Sequence, residues 1–350
     1  MAPLALHEFH LNRGASFSNQ NGFEAVASYG QPEAEYTALT QRAGLLDLSF
    51  RSRICLLGMD REKFLHGQVT NDVLRLKTGD GTYAALVTAK GKVESDLFIY
   101  KLQDELLLDF EPGLTPKISN RLEKYVIAED VQIVDVAPFY NLLSILGPDS
   151  ATIVSSQIHF PLPEKPLSFT KASSASGELY IVRNDRFGIP AFDLFVPSAD
   201  ALTLTEKLSS QIKLVGMDAC EMIRVEKGIP RFGVDIDESN LAPEALGENA
   251  ISYAKGCYIG QEVIARIRTY GQVAKALRLL RFAAEPQQLP SRGDKLFKAG
   301  KDVGLITSST FSPRHRSTLA LAYVRKECNS PGDTLHLGAP DGPLATIIVA

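Results

Sequence analysis

Lys255-Gly256-Cys257-Tyr258-Ile259-Gly260-Gln261-Glu262 is the stretch around which the rest of this chain is arranged. It sets a thiol between two glycines, with a lysine two residues before it and a Gln-Glu pair soon after. Glycine lets the backbone take positive φ or approach a neighbour closely. A lysine beside a thiol favours the thiolate, the form that attacks electrophiles and binds metals. Val263-Ile264-Ala265 opens an apolar run, which places Gln261 and Glu262 in the first turn of a helix, where the helix dipole favours an anion. Spacing alone favours the plainer reading, a glycine-bracketed loop ahead of a helix with a buried structural cysteine.

The length of 350 residues exceeds one ordinary core and predicts two or three domains. With 45% hydrophobic and 22% charged residues the composition is that of an average globular protein. A net charge of −4 supplies no general attraction to nucleic acid or anionic membrane. No apolar run approaches the ~20 residues that span a bilayer. His7, Glu8 and His10 follow Met1 where a secretory signal would place a basic start and an apolar run. The cysteines, Cys55, Cys220, Cys257 and Cys328, are far apart and form no C-x-x-C pair. This argues against a disulfide framework or a structural zinc site and for a reducing compartment, with the cytoplasm as the default.

Residues 1–30 read as irregular structure or short strands, and 33–42 as a helix ending at Gly44, a C′ glycine. The apolar run 45–48 enters a core. Strands are predicted at 52–57, 82–88, 92–101, 105–110 and 131–136, with a turn at Lys90-Gly91 and helices at 61–69, capped by Asp60, and 115–125. That order is a ferredoxin-like, split βαβ pattern. A second α+β region has strands at 141–146, 179–183 and 192–196 and helices at 199–208 and 218–226. Residues 161–177, rich in Pro, Ser, Ala and Lys, read as a surface loop. From 276 onward, short strands at 277–282, 295–297, 303–308, 319–324, 334–337 and 345–349 predict a terminal β-barrel.

Phe64-Leu65-His66-Gly67-Gln68-Val69-Thr70-Asn71-Asp72 resembles the F-L-x-G-Q-x-T-N-D segment of the YgfZ-type folate-binding proteins. The K-G-C-Y-I-G-Q-E stretch, with Arg266, Gly271 and Lys275 beyond it, is similar to the signature of the same family. Those proteins in turn resemble the T-protein of the glycine cleavage system, a tetrahydrofolate-dependent aminomethyltransferase. The resemblance runs from about Tyr36 to the end. It implies an α+β, three-domain cloverleaf: a discontinuous folate-binding domain from 1–50 and 140–250, a ferredoxin-like domain at 51–139, a signature segment at 251–275, and a C-terminal β-barrel at 276–350. It implies tetrahydrofolate or a one-carbon derivative as cofactor, and a role supporting iron–sulfur cluster assembly or repair. Iron–sulfur assembly or client proteins would be the partners, with indirect effects on tRNA-modifying enzymes. The alternative it leaves open is a folate-dependent aminomethyl- or methyltransferase.

Carried over position by position, the T-protein's D-D-L-I-V pattern falls on Ser95-Asp96-Leu97-Phe98-Ile99, and G-E-x-G-F-E-L on Gly188 to Leu194. The resemblance thus implies Asp96 beside the reactive folate nitrogens and Asp193 in place of the second glutamate. The helix pattern L-R-x-E-x-G falls on 223–228, which implies Arg224 and Glu226 at the folate site; Tyr258 and Tyr270 are residues able to stack on a ring or simply to pack. Ser95 and Ile189 stand where the T-protein has acids, which weighs toward an accessory binder in which Cys257 and Lys255 face a partner or cluster. Chemically, a pterin edge with two N–H donors suits an ionised carboxylate such as Asp193. Arg224 suits a carboxylate or a ring face. Burial beside Leu97 would bring Asp96 into an acid/base range. The plainer alternatives are an exposed strand residue for Asp193, a surface salt bridge to Glu221 or Glu226 for Arg224, and a solvated edge residue for Asp96. Lys255, Arg266, Arg268, Lys275, Arg278 and Arg281 face only Glu262 in local charge, a weak basis for direct tRNA binding.

Overall fold

Alternating apolar positions in 52–57 and 93–101 make strands that bury Ile54, Leu56, Leu97 and Ile99 on one face of a sheet. The computed structural model, which describes residues 1–349 apart from the side chain of Tyr270, sets these strands in a five-stranded sheet. Its order is Gly81–Val87, Val93–Lys101, Leu106–Phe110, Ser52–Leu57, Gln132–Asp135. Without the outermost strand, Gly81–Val87, the remaining four take the order 2-3-1-4 in chain sequence, the ferredoxin-like arrangement with one strand added. Helices Arg61–Gln68 and Thr115–Glu123 connect the strands, and the second packs on Ser52–Leu57 through Ile118 and Leu122. Asp60 precedes the first helix but does not cap it through its side chain; Oδ2 instead accepts from Asp130 N at 2.9 Å.

The chain divides into two compact units, Met1–Ala84 with Ser95–Cys220, and Ala85–Glu94 with Glu221–Ala350. The first unit also holds a six-stranded sheet, ordered Phe169–Ser173, Glu178–Arg183, Ala191–Pro197, Tyr140–Leu146, Gly44–Asp47, Lys213–Leu214. Leu45, Leu143, Ile145, Ile181, Leu194 and Val196 form its apolar core, with Val154 and Leu208 from covering helices.

Four expectations are corrected here. Residues 1–30 contain a helix, His7–Leu11, ahead of the hairpin Ser16–Gln20 and Phe23–Ser28. Gly44 is no helix terminus: the helix is Pro32–Gln41, and Gly44 opens a strand where an added Cβ would stand 2.7 Å from Val215 Cγ1. Within 161–177, Phe169–Ser173 is an edge strand, whose polar composition suits a sheet edge as well as a loop. The helix Ser150–Ile158 escaped the sequence reading because Ser, Thr and β-branched residues weaken its local propensity, while burial of Val154 holds it in place.

The second unit carries a closed barrel in the order Lys275–Phe282, Ser317–Arg325, Lys301–Ser312, Lys295–Lys298, Thr334–Leu337, Leu344–Ile348. Leu280, Phe282, Leu296, Ile306, Val324 and Leu335 fill it. The long strand Lys301–Ser312 is irregular between Ile306 and Ser308, and this bulge turns the adjacent Thr307 and Ser308 hydroxyls onto one carboxylate oxygen, Asp235 Oδ1, at 2.5 and 2.7 Å. The helix expected after the opening stretch is Gln261–Tyr270, and its N-cap is Gly260 at φ +84°. A Cβ there would meet Thr88 O at 2.5 Å and Val87 Cγ2 at 2.9 Å, so this glycine is required twice over, by dihedral and by space. Gly260→Ala is expected to cost about 2–4 kcal/mol, combining left-handed strain and overpacking. Gly293→Ala, at φ +92° in open space, would show the strain alone, about 1–2 kcal/mol. Urea midpoints of the two variants test this; equal losses would remove the steric half of the argument.

Candidate functional site

Asp96 lies on the strand Val93–Lys101 with Phe98 on the same face, because alternate residues of a strand share a side. Its Oδ2 accepts from Tyr83 Oη at 2.7 Å, while Oδ1 is shut off from solvent and has no hydrogen-bond partner. Burial, and then the charge of Glu111, push the carboxyl up to about 6, against the Tyr83 hydrogen bond and Arg51. Tyr83 is itself tied to the T-N-D segment: Asn71 Nδ2 donates to Tyr83 O at 2.9 Å. Ser95, adjacent in sequence, is fully buried and donates to Asp96 O at 3.0 Å.

Asp193 is fully buried on Ala191–Pro197, so the exposed-strand alternative does not hold. Phe192 and Leu194 join the apolar core on one face, and on the other the sheet meets the five-stranded sheet, where Phe195 packs edge-on against Tyr100. Arg186, from the turn after Glu178–Arg183, binds Asp193 Oδ2 through both Nε and Nη2. The same Nη2 donates to Asp109 Oδ2 at 2.8 Å, and the guanidinium lies 4.8 Å over the Phe98 ring. Arg51 donates through Nε to Asp109 Oδ1 at 2.7 Å and through Nη1 to Glu111. Burial alone would raise Asp109, but Arg51 and Arg186 together hold it below the usual carboxylate range. Asp193 has only Arg186 and stays raised by burial. Ser144, its cross-strand neighbour, pulls the other way, yet neither Ser144 Oγ nor Asp193 Oδ1 closes a hydrogen bond of proper geometry. Arg186 Nη1 is likewise buried without a partner. Asp96 and Asp193 therefore belong to one cluster in the first unit.

The other candidates lie in the second unit. Arg224 is fully buried, and each of its five N–H groups has an acceptor: Nε and Nη2 reach Glu221 Oε2, Nη1 reaches Asp235 Oδ2 and Ile229 O, and Nη2 reaches Ser308 Oγ. Ser312 Oγ donates to Glu226, also buried. Lys255 is buried with Nζ 4.7 Å over the Tyr258 ring, and Tyr258 is pushed up to about 12 by burial. Cys257 between them is exposed, and free. Of the basic residues in 251–281, Arg278 and Arg281 donate to backbone carbonyls and Lys275 lies over Tyr323, so that local charge is partly spent inside the unit.

Sequence reasoning missed Arg51, Asp109, Arg186 and Tyr83. Asp109 offers the one readable signal, a charge inside the apolar run Leu106-Leu107-Leu108-Asp109-Phe110. A cleft of about 390 Å³ is lined by Phe64, Gly67 and Gln68 with Lys63, Tyr125 and Glu129, and contains none of the predicted site residues. Among the described residues no His, Cys, Asp and Glu cluster could hold a metal ion, and no helix is long and apolar enough to cross a membrane.

The family model described as the GCVT N-terminal domain matches residues 6–255, and that of the glycine cleavage T-protein C-terminal barrel domain matches 275–350. An aminomethyltransferase of Thermosipho melanesiensis is 25% identical over 325 residues, 92% of this chain and 88% of the relative. One of Halothermothrix orenii is 26% identical over 344 residues, 96% of this chain and 95% of the relative. The crystal structure of glycine cleavage system aminomethyltransferase T from Bartonella henselae has the same fold, with TM-score 0.90 at 23% identity, covering 99% of this chain and 96% of that one.

Removing Arg186 would strand Asp193 in the interior and leave Asp109 with Arg51 alone, and Arg186→Met is expected to cost about 3–5 kcal/mol at neutral pH. The folded-state pKa of Asp193, already raised by burial, would then stand further above its unfolded value near 3.9, so the loss should shrink as pH falls and it protonates. Denaturant titrations at pH 8 and pH 5 measure this; a gap that stays constant would show that the charges are not what Arg186 balances.

Proposed function

The chain belongs to the glycine cleavage T-protein family, and on that premise we propose that it binds a reduced folate at the Asp96–Asp193 cluster and acts on the one-carbon unit that folate carries. Asp96 is the observation that carries this reading: a carboxyl pushed up to about 6, oriented by Tyr83, with one oxygen left without a partner. A group poised near neutrality can both take and return a proton, which is what general acid–base chemistry needs. Three buried polar atoms without partners, Asp96 Oδ1, Asp193 Oδ1 and Arg186 Nη1, fit a flat heterocycle that has both N–H donors and a carbonyl. A bound folate supplies the nitrogens that hold the one-carbon unit; the chain supplies the proton site and the ring-binding groups. Arg224 is a framework residue of the second unit, since its donors are all engaged there.

Ser95 is weaker evidence against transfer than its place in the pattern suggests. It is buried on the opposite side of the strand from Asp96, so an acid there would not face the site. Aminomethyl transfer, the activity named for the relatives, is accordingly the favoured reading.

A second reading rests on Cys257. This thiol is exposed in a stretch whose Lys255 and Tyr258 are buried, so the loop is shaped to present it outward. It supports a YgfZ-type role, in which the folate-bearing protein assists iron–sulfur cluster assembly or repair through a partner.

Tetrahydrofolate should bind the pure protein in calorimetry. Transfer from an aminomethylated lipoyl carrier should rise with pH through about 6 as Asp96 ionises. Asp96→Asn should remove that limb and lower the rate about a hundredfold or more. The raised pKa also makes ionised Asp96 a stability cost that grows as pH rises through about 6, and Asp96→Asn should flatten that slope. Folate binding without any turnover, joined to loss of iron–sulfur enzyme activity in cells carrying only Cys257→Ser, would move the assignment to the second reading. Absence of folate binding would end both.

A further inference from the structure

The carboxylate at position 193 cannot work as the free two-oxygen fork that a pair of ligand N–H donors would want. Arg186 occupies Oδ2 with two of its own nitrogens, leaving Oδ1 as the single open acceptor. The arginine brings a compensating group: Nη1, buried in a side chain only 5% exposed, has no acceptor. A charged donor in that state is costly, and a native site keeps such an atom when a ligand completes it. Every other N–H of the guanidinium is spent on Asp193 and Asp109, and Phe98 supports its face. The two residues therefore present one donor and one acceptor instead of two acceptors.

We propose that Arg186 is a specificity-determining residue whose Nη1–H donates to a carbonyl oxygen on the ligand ring, while Asp193 Oδ1 accepts from a ring N–H. This deepens the folate reading above and rests on it. The substrate class it names is a 4-oxo pteridine. A ring carrying an amino group in place of that carbonyl would set donor against donor, and a buried site built for a hydrogen bond rejects such an analogue strongly because its own group is left unpaired.

The test compares 5-formyltetrahydrofolate with its 4-amino-4-deoxy counterpart by calorimetry, on the wild-type protein and on Arg186→Lys. Lysine keeps a cation beside Asp109 and Asp193, so this variant is the one expected to fold; its melting profile is recorded first. Wild type should prefer the 4-oxo ligand by about tenfold or more, and Arg186→Lys should lose most of that preference while still binding. Should Arg186→Lys not fold, Phe98→Leu, which removes the ring beneath the guanidinium and leaves its ion pairs, should weaken the preference instead. Equal affinity of wild type for the two ligands, or an undiminished preference in the folded variant, overturns the assignment of Arg186 while the folate reading stands. Binding of neither ligand to wild type overturns both.

Discussion

A single guanidinium shared by two carboxylates governs the interior of the first unit. Arg186 ties Asp193, on one sheet, to Asp109, on the other, and Arg51 adds a second cation to Asp109. Desolvating so many charges is expensive, and their mutual attraction offsets it only when the remaining donors and acceptors find partners. Here some do not, and the atoms left over are the ones the proposed ligand would engage. Two carboxyls meet the same arginine with opposite results, Asp109 held low and Asp193 raised, because Asp109 has two arginines and Asp193 one. Asp96 has no arginine bonded to it at all, and burial and the charge of Glu111 push it up to about 6.

The second unit handles a buried arginine differently. Arg224 finds acceptors for all its N–H groups, and Asp235 beside it collects hydroxyls from Thr307 and Ser308 through a bulge in the barrel strand. This is a closed network, with its capacity spent on joining a helix, a loop and a barrel strand. The contrast between a saturated and an unsaturated arginine is what separates framework from the proposed site.

Legibility of the chain followed the range of the interaction. Strands such as Ser52–Leu57 and Leu106–Phe110, and the barrel strands, were readable because their short apolar runs and the turn or charged residues that bound them are local. The helix Ser150–Ile158 and the strand Phe169–Ser173 were not, since tertiary burial in one and sheet pairing in the other override weak local propensity. Asp96 and Asp193 were found through motif resemblance. Arg186 was not, because nothing in the turn Asn184-Asp185-Arg186-Phe187 reports that a strand 77 residues away will supply Asp109.

By itself the amino-acid sequence determined most of the succession of elements and the glycine-bounded opening stretch. Those properties live in spacing and residue type, which are present before folding. Only the tertiary structure decided that Gly260 is demanded by Thr88 O, that Arg224 is fully satisfied, and that Cys257 is exposed between the buried Lys255 and Tyr258. Only it decided, too, that Asp193 shares its charge with Arg186. Each of these depends on which distant groups burial forces together, and on how many hydrogen bonds those groups can then complete.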